Sequence, residues 1–310
     1  MTVRMKGKSI DSLSNLNQKE IKEILKTSTL LKSQLARGEE HLLLKGKTLA
    51  MIFEKPSTRT RVSFEVGMWQ LGGVALYLSA GDLQLGRGET IADTARTLSR
   101  YVHGIMARVF AHQTILDLIK YSTVPVINGL SDFTHPCQGL ADLFTIYEKK
   151  GRLSGLTLAY VGDGNNVAHS LIYGCSKVGM DITLACPKGY EPNLEVIIEA
   201  KEEGKRTGSH VKVTNDPIEA VRNADIVYTD VWASMGKEKE YEKRSKIFKP
   251  YQINTTLVRK AKEDYLFMHC LPAHRGQEVT DEVADSKNSV IFDQAENRLH
   301  TQKALLSLIM

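Results

Sequence analysis

From residue 48 onward, short apolar runs alternate with stretches whose apolar residues recur at helical spacing. That alternation restricts the chain to parallel sheets covered by helices on both faces. The first half reads as strands over 48–53, 74–78, 105–109 and 124–128, with helices over 58–71, 90–101 and 112–120 between them. Ahead of them, Ile21, Ile24, Leu25 and Leu35 mark an amphipathic helix over 17–36. A further helix carries Leu140, Leu143, Phe144 and Tyr147 on one face and ends where Lys149-Lys150-Gly151 breaks the pattern. The alternation then restarts, with strands over 156–161, 182–186, 211–214 and 226–229 and helices beginning near 166, 193 and 217. A chain of 310 residues that runs through this pattern twice is expected to form two open α/β domains, divided near residue 150.

In open parallel sheets, ligands bind outside the carboxyl ends of the strands. Ser57-Thr58-Arg59-Thr60-Arg61 lies at such an end, where the first strand gives way to a helix. The first N–H groups of that helix lack intrahelical partners and carry the positive end of its dipole, so the junction suits an anion. Arg59 adds a planar fork for phosphate or carboxylate. The plain alternative is an ordinary helix start, with Ser57 as cap and solvated arginines. Arg108 ends the third strand and His135 follows the fourth, so both are expected at the same sheet edge as Arg59. Between the second strand and its helix, residues 79–89 hold Gly81, Gly86 and Gly88 without apolar periodicity and read as a flexible loop.

Gly162-Asp163-Gly164-Asn165-Asn166-Val167 invites a dinucleotide reading. The fit is incomplete: Val167 replaces the third glycine, and the next strand ends in Ala185-Cys186-Pro187 with no acid for a ribose hydroxyl. What remains is a tight turn presenting Asn165 and Asn166 at a strand's carboxyl edge. Asp230, at another strand end, offers a carboxylate for an amino-acid head group or a helix cap. Cys270 follows a further strand and reads either as a small buried residue or as a nucleophile with His269 or His274 as base. Adjacent strand residues point to opposite faces, which disfavours a His269–Cys270 pair. The mixed-charge run over 237–249 reads as a solvated helix face.

Acidic and basic residues are interspersed and the net charge is only +5, so nothing points to nucleic acid. The N-terminus has no apolar core like that of a signal peptide, and no apolar run reaches membrane-spanning length. A cytoplasmic protein is expected. Cys137, Cys175, Cys186 and Cys270 form no Cys-x-x-Cys pair and are expected as free thiols.

Taken in order, Ser57-Thr58-Arg59-Thr60-Arg61, His135-Pro136-Cys137-Gln138, Asp230 to Gly236, His269-Cys270-Leu271-Pro272 and Glu296-Asn297-Arg298 resemble the ornithine carbamoyltransferases of the aspartate/ornithine carbamoyltransferase superfamily. The resemblance covers essentially the whole chain. It implies a carbamoyl phosphate-binding domain over 1–150, joined by a C-terminal helix over about 292–310, and an ornithine-binding domain over 151–291. Ser57, Thr58, Arg59 and Thr60 would hold the phosphate, with Arg108, His135 and Gln138 at the carbamoyl group. Gln84 would reach from a neighbouring subunit. Asn166, Asp230, Ser234 and Met235 would take the ornithine head group. Cys270 and Leu271 would lie near the reacting amine and, with Arg298, among the carbamoyl phosphate contacts; Arg108, His135, Asp230 and Cys270 would be catalytic. A homotrimer or an assembly of trimers follows from the same likeness, with no metal and no cofactor. The implied reaction carries the carbamoyl group from carbamoyl phosphate to L-ornithine, giving L-citrulline and phosphate, in arginine metabolism. A segment over 232–250 would close over the acceptor. Another amine acceptor, putrescine or N-acetylornithine, is the alternative.

Overall fold

A computed structural model describes residues 4–81, 88–233 and 240–310. The chain divides into two compact units, residues 1–144 with 296–310 and residues 145–295.

The first unit opens with α1 (Gln18–Ala36), whose Asn17 and Glu20 form a reciprocal capping box. It continues through β1 (Thr48–Phe53), α2 (Thr58–Gln70), β2 (Val74–Ser79), α3 (Ile91–Tyr101), β3 (Gly104–Arg108), α4 (His112–Tyr121) and β4 (Val126–Leu130). The strands are parallel in the order β2-β1-β3-β4. β4 begins two residues later than the apolar run suggests. Pro125 cannot donate to a ladder, and regular pairing starts after it. Ile10 extends the sheet: its N–H donates to the Val126 carbonyl and its own carbonyl accepts from Asn128, both at 2.8 Å. Ile52, Ile105, Ala107, Val109, Ile115, Leu118 and Val126 pack into a core beneath α3 and α4. Each fully buried Ile or Leu there contributes about 1.5–3 kcal/mol.

α5 (Pro136–Lys150) carries the chain into the second unit. There follow β5 (Thr157–Val161), α6 (Asn166–Val178), β6 (Asp181–Ala185), α7 (Leu194–Thr207), β7 (Val211–Thr214), α8 (Pro217–Val221), β8 (Ile226–Thr229), α9 (Tyr241–Phe248), α10 (Thr255–Val258), β9 (Leu266–His269), α11 (Asp281–Ala284) and α12 (Ile291–Ile309). The parallel order is β7-β6-β5-β8-β9. The fold is thus two parallel-sheet α/β domains, as the alternation predicts. α12 starts at Ile291, within one residue of the expected position, and the Gln294 N–H already bonds the Val290 carbonyl at 2.8 Å. Among the described residues, no helix is long and apolar enough to cross a membrane.

One expectation fails within α9. Its charges do not make a wholly solvated helix, since Arg244 is 4% exposed and Phe248 is fully buried. Phe248 packs edge-on against Tyr190, with ring centroids 5.0 Å apart, and stacks on Trp232 at 6.2 Å.

Strand order decides where each unit can bind a ligand. In the first, the chain leaves β1 toward β2 and returns to β3 on the opposite side; in the second, it leaves β5 toward β6 and β7 and returns to β8. Each reversal opens a crevice at the strands' carboxyl ends. The turns after β1 and β3 flank the first crevice, and those after β5 and β8 flank the second.

Candidate active site

In the first unit, Ser57 caps α2 from an extended backbone, and its Oγ accepts from the Thr60 N–H at 3.3 Å. Thr58, Arg59 and Thr60 therefore form the first turn of α2, where the helix dipole is positive. Arg108 ends β3, where the pairing with β4 shifts register between Ala107 and Arg108. Such a bulge re-aims the side chain that follows it. His135 immediately precedes α5, with Pro136 at the first helical position, where a missing N–H costs nothing.

Arg298 on α12 draws these groups into one cluster. Its Nη1 donates to Gln138 Oε1 at 2.8 Å and its Nη2 to Thr60 Oγ1 at 3.2 Å. With its amide oxygen turned toward the guanidinium, Gln302 accepts from Arg298 Nη2 and Nε at 3.0 and 3.2 Å. Gln138 in turn donates to Asp142 Oδ1 at 2.7 Å. His135 is buried, and its pKa is held well below the ordinary histidine range, first by burial and then by the guanidinium groups of Arg298, Arg108 and Arg59. At neutral pH it is a neutral ring with one N–H to donate. Three guanidinium groups, a helix N-terminus and a neutral imidazole together form a positively charged cluster with the chemistry to attract an anion. Cys137, beside His135, has its thiol pushed up to about 11 by burial and is no nucleophile.

In the second unit, Asn165 rather than Asn166 caps α6, its Oδ1 accepting from the Val167 and Ala168 N–H groups. Asn165 Nδ2 donates to Asp230 Oδ2 at 2.7 Å, joining the turns after β5 and β8. Asp230 Oδ1 accepts from its neighbour Val231 N–H at 2.8 Å and from Cys270 Sγ at 3.0 Å. His269 is fully buried: Nδ1 accepts from the Leu271 N–H at 2.8 Å, and Nε2 faces Glu278 Oε1 at 3.2 Å. Donor atoms of Asp230, His269 and Cys270 lie within 4.8 Å of one another, a spacing that could hold a metal ion. Both nitrogens of His269 are already engaged, however, with Leu271 and Glu278, while Cys270 bonds Asp230 directly. The same engagement keeps His269 from serving as base to Cys270. All four cysteines are free.

Gly164 has a different purpose from the one a dinucleotide motif suggests. A Cβ there would stand 2.2 Å from the Pro192 nitrogen, so this glycine admits a neighbouring backbone.

The structure thus brings Thr60, Gln138 and Arg298 into direct contact, with His135, Arg59 and Arg108 around them, and joins Asp230 to Cys270. Gln84, Ser234 and Met235 lie outside the described residues, as does part of the 232–250 segment. Gln302, Asp142 and Glu278 were missed. Gln302 stands one helical turn from Arg298, a spacing that could have revealed it; nothing local marks Glu278, nine residues beyond His269.

Two parallel-sheet domains, each with polar groups gathered at its switch point, define a class of α/β enzymes that hold small ligands at sheet edges. Residues 8–148 match a family model described as the aspartate/ornithine carbamoyltransferase carbamoyl-P binding domain, and residues 154–309 match its Asp/Orn binding domain. The chain belongs to the aspartate/ornithine carbamoyltransferase family. Proteins named ornithine carbamoyltransferase from Thermococcus kodakarensis and, described as anabolic, from Pyrococcus furiosus are each 60% identical over 310 residues, covering 100% of this chain and 98% of each relative. The solved ornithine carbamoyltransferase of P. furiosus superposes with a TM-score of 0.97, covering 100% of this chain and 99% of that one.

Proposed function

We propose that this protein transfers the carbamoyl group of carbamoyl phosphate to the δ-amine of L-ornithine, giving L-citrulline and phosphate, in the cytoplasm and in arginine metabolism. The observation that carries the reading is the neutral, buried His135 among Arg59, Arg108 and Arg298 beside the α2 N-terminus. The choice of ornithine is supported by the relatives of that name. Residues 1–150, with the helix from about 292, serve as the donor domain, and 151–291 as the acceptor domain.

Ser57, Thr58, Arg59 and Thr60 hold the phosphate; Arg108, His135 and Gln138 take the carbamoyl group, with Arg298 behind them. Asn166, Asp230, Ser234 and Met235 receive the ornithine head group, with Cys270 and Leu271 near the amine. The δ-amine attacks the carbonyl carbon in its neutral form, since an alkyl ammonium has no lone pair. Negative charge then grows on the carbonyl oxygen, where Arg108, His135 and Thr60 donate. Phosphate leaves toward Arg59 and the α2 N-terminus, and the proton shed by the attacking nitrogen leaves with it as hydrogen phosphate. Losing one preorganised donor of this kind costs about 2.7–4 kcal/mol in barrier height. Phosphate is itself a good leaving group, so no step needs a metal or cofactor.

The protein works as a homotrimer or an assembly of trimers, with Gln84 entering a neighbour's site. Consistent with this, Val62 and Trp69 of α2 and Val74 and Leu76 of the edge strand β2 are 44–75% exposed. With ¹³C-labelled carbamoyl phosphate and ornithine, the reading predicts citrulline and phosphate in equal amounts. Phosphate released without labelled citrulline would contradict it.

A further inference from the structure

Arg244 lies within a charged run yet is 4% exposed. Its Nη1 donates to Asp163 Oδ2 at 2.7 Å and to the Trp232 carbonyl at 3.0 Å, and its Nε donates to Glu240 Oε2 at 2.9 Å. The guanidinium carbon also sits 4.8 Å from the ring centroid of Tyr190. Asp163 stands two residues before Asn165, and Trp232 two residues after Asp230. One cation thereby ties the turn after β5 to the turn after β8, across the second switch point. The Asn165–Asp230 hydrogen bond of 2.7 Å spans those same turns.

A buried ion pair is weak evidence of stabilisation, because desolvation offsets much of the attraction. Its geometric effect is more specific. A guanidinium offers several donors in one plane, fixing a carboxylate, a carbonyl and a second carboxylate at set angles; an ammonium on a flexible stem fixes none of those angles. We propose that Arg244 is a positioning residue for the acceptor. It sets the separation of the two turns so that Asp230, held between Asn165 and Cys270, keeps the orientation that receives the amino-acid head group. This rests on the function proposed above.

The test compares Arg244→Lys, Arg244→Met and Asp163→Asn with the unaltered protein, measuring kcat, the KM of each substrate and the thermal midpoint. Arg244→Met is expected to raise the KM for ornithine about tenfold or more, the scale of one lost charge-assisted hydrogen bond, with the KM for carbamoyl phosphate changed by less than about twofold. Arg244→Lys should restore folding stability more than ornithine affinity. The double variant Arg244→Met/Asp163→Asn should be little worse than the worse single one, because the two share one interaction. An unchanged ornithine KM in any folded Arg244 variant would overturn the proposal. So would a rise in both KM values that simply tracks the loss of stability. Should Arg244→Met fail to fold, Arg244→Lys decides by the same criteria. If the unaltered protein makes no citrulline, the functional reading fails and takes the proposal with it; an active protein with indifferent Arg244 variants removes the proposal alone.

Discussion

Arg59 and Arg61 show how two residues of one motif part company. Arg59, half-buried in the first turn of α2, is close enough to His135 to depress its pKa. Arg61 instead bonds Glu65 at 3.1 Å one turn along the helix and lies 3.9 Å from the ring centroid of Tyr77 on β2. It braces the helix against the strand rather than the turn itself. Arg59→Ala should therefore raise the KM for carbamoyl phosphate about 10- to 100-fold, the loss of one or more charge-assisted bonds. Arg61→Ala should change that KM by less than about twofold. At 48% exposure, its ion pair and ring contact together contribute about 0.5–1 kcal/mol, measurable by denaturant unfolding. An Arg59→Ala protein with normal carbamoyl phosphate affinity would undo the assignment of the phosphate site.

At the scale of elements, the turn from β5 into α6 depends on Gly164. Its alanine variant places a Cβ against the Glu191–Pro192 backbone, which cannot yield as a side-chain tip can. Gly164→Ala is expected to destabilise the second unit by about 1–3 kcal/mol in denaturant unfolding and to raise the KM for ornithine, because Asn165 follows directly. An unchanged midpoint would show that the 191–192 segment can move aside. This turn also marks what the sequence could and could not disclose. Apolar periodicity revealed the strands, since parallel strands buried on both faces are nearly continuous Val, Ile and Leu. It set β4 two residues early, at 124–128 instead of 126–130, where Pro125 cannot donate to the ladder. Periodicity could not reveal Arg244, whose charged neighbours on α9 face water while it turns inward to Asp163. Nor could it show that Asn165 caps α6 and meets Asp230; two adjacent asparagines differ only in where the helix begins. The gathering of Arg59, Arg108 and His135 was legible because they stand at the ends of β1, β3 and β4, which are neighbours in the sheet. Gln302 and Glu278 act through contacts made by the tertiary fold, and their types alone are unremarkable.

For the molecule as a whole, acid should act unevenly. Burial first holds His135 below its ordinary range, the guanidinium groups adding to it, and burial likewise lowers His112. Burial also lowers His300 to about 4, against an opposing hydrogen bond with Glu296 and aided by Lys303 and Lys32. Each folded pKa lies below the unfolded value of about 6.5, so the unfolded chain binds more protons in that window. Stability is fully present above about pH 6.5 and falls as pH drops toward 4. All three histidines belong to residues 1–144 and 296–310, so amide protection at pH 5, corrected for the intrinsic exchange rate at that pH, should fall in this unit before residues 145–295. An equal fall of protection in both would refute that. Activity should also rise through neutrality, as the acceptor amine, with a free pKa near 10.4, loses its proton. The central claim is that the acceptor is an amino acid held by its head group and attacked through its side-chain amine. Its most direct test is kcat/KM with carbamoyl phosphate and, in turn, ornithine, putrescine, N-acetylornithine and aspartate. Ornithine is predicted to lead by at least about 100-fold, the scale set when buried polar groups lose their partners; comparable or greater turnover of putrescine would contradict it.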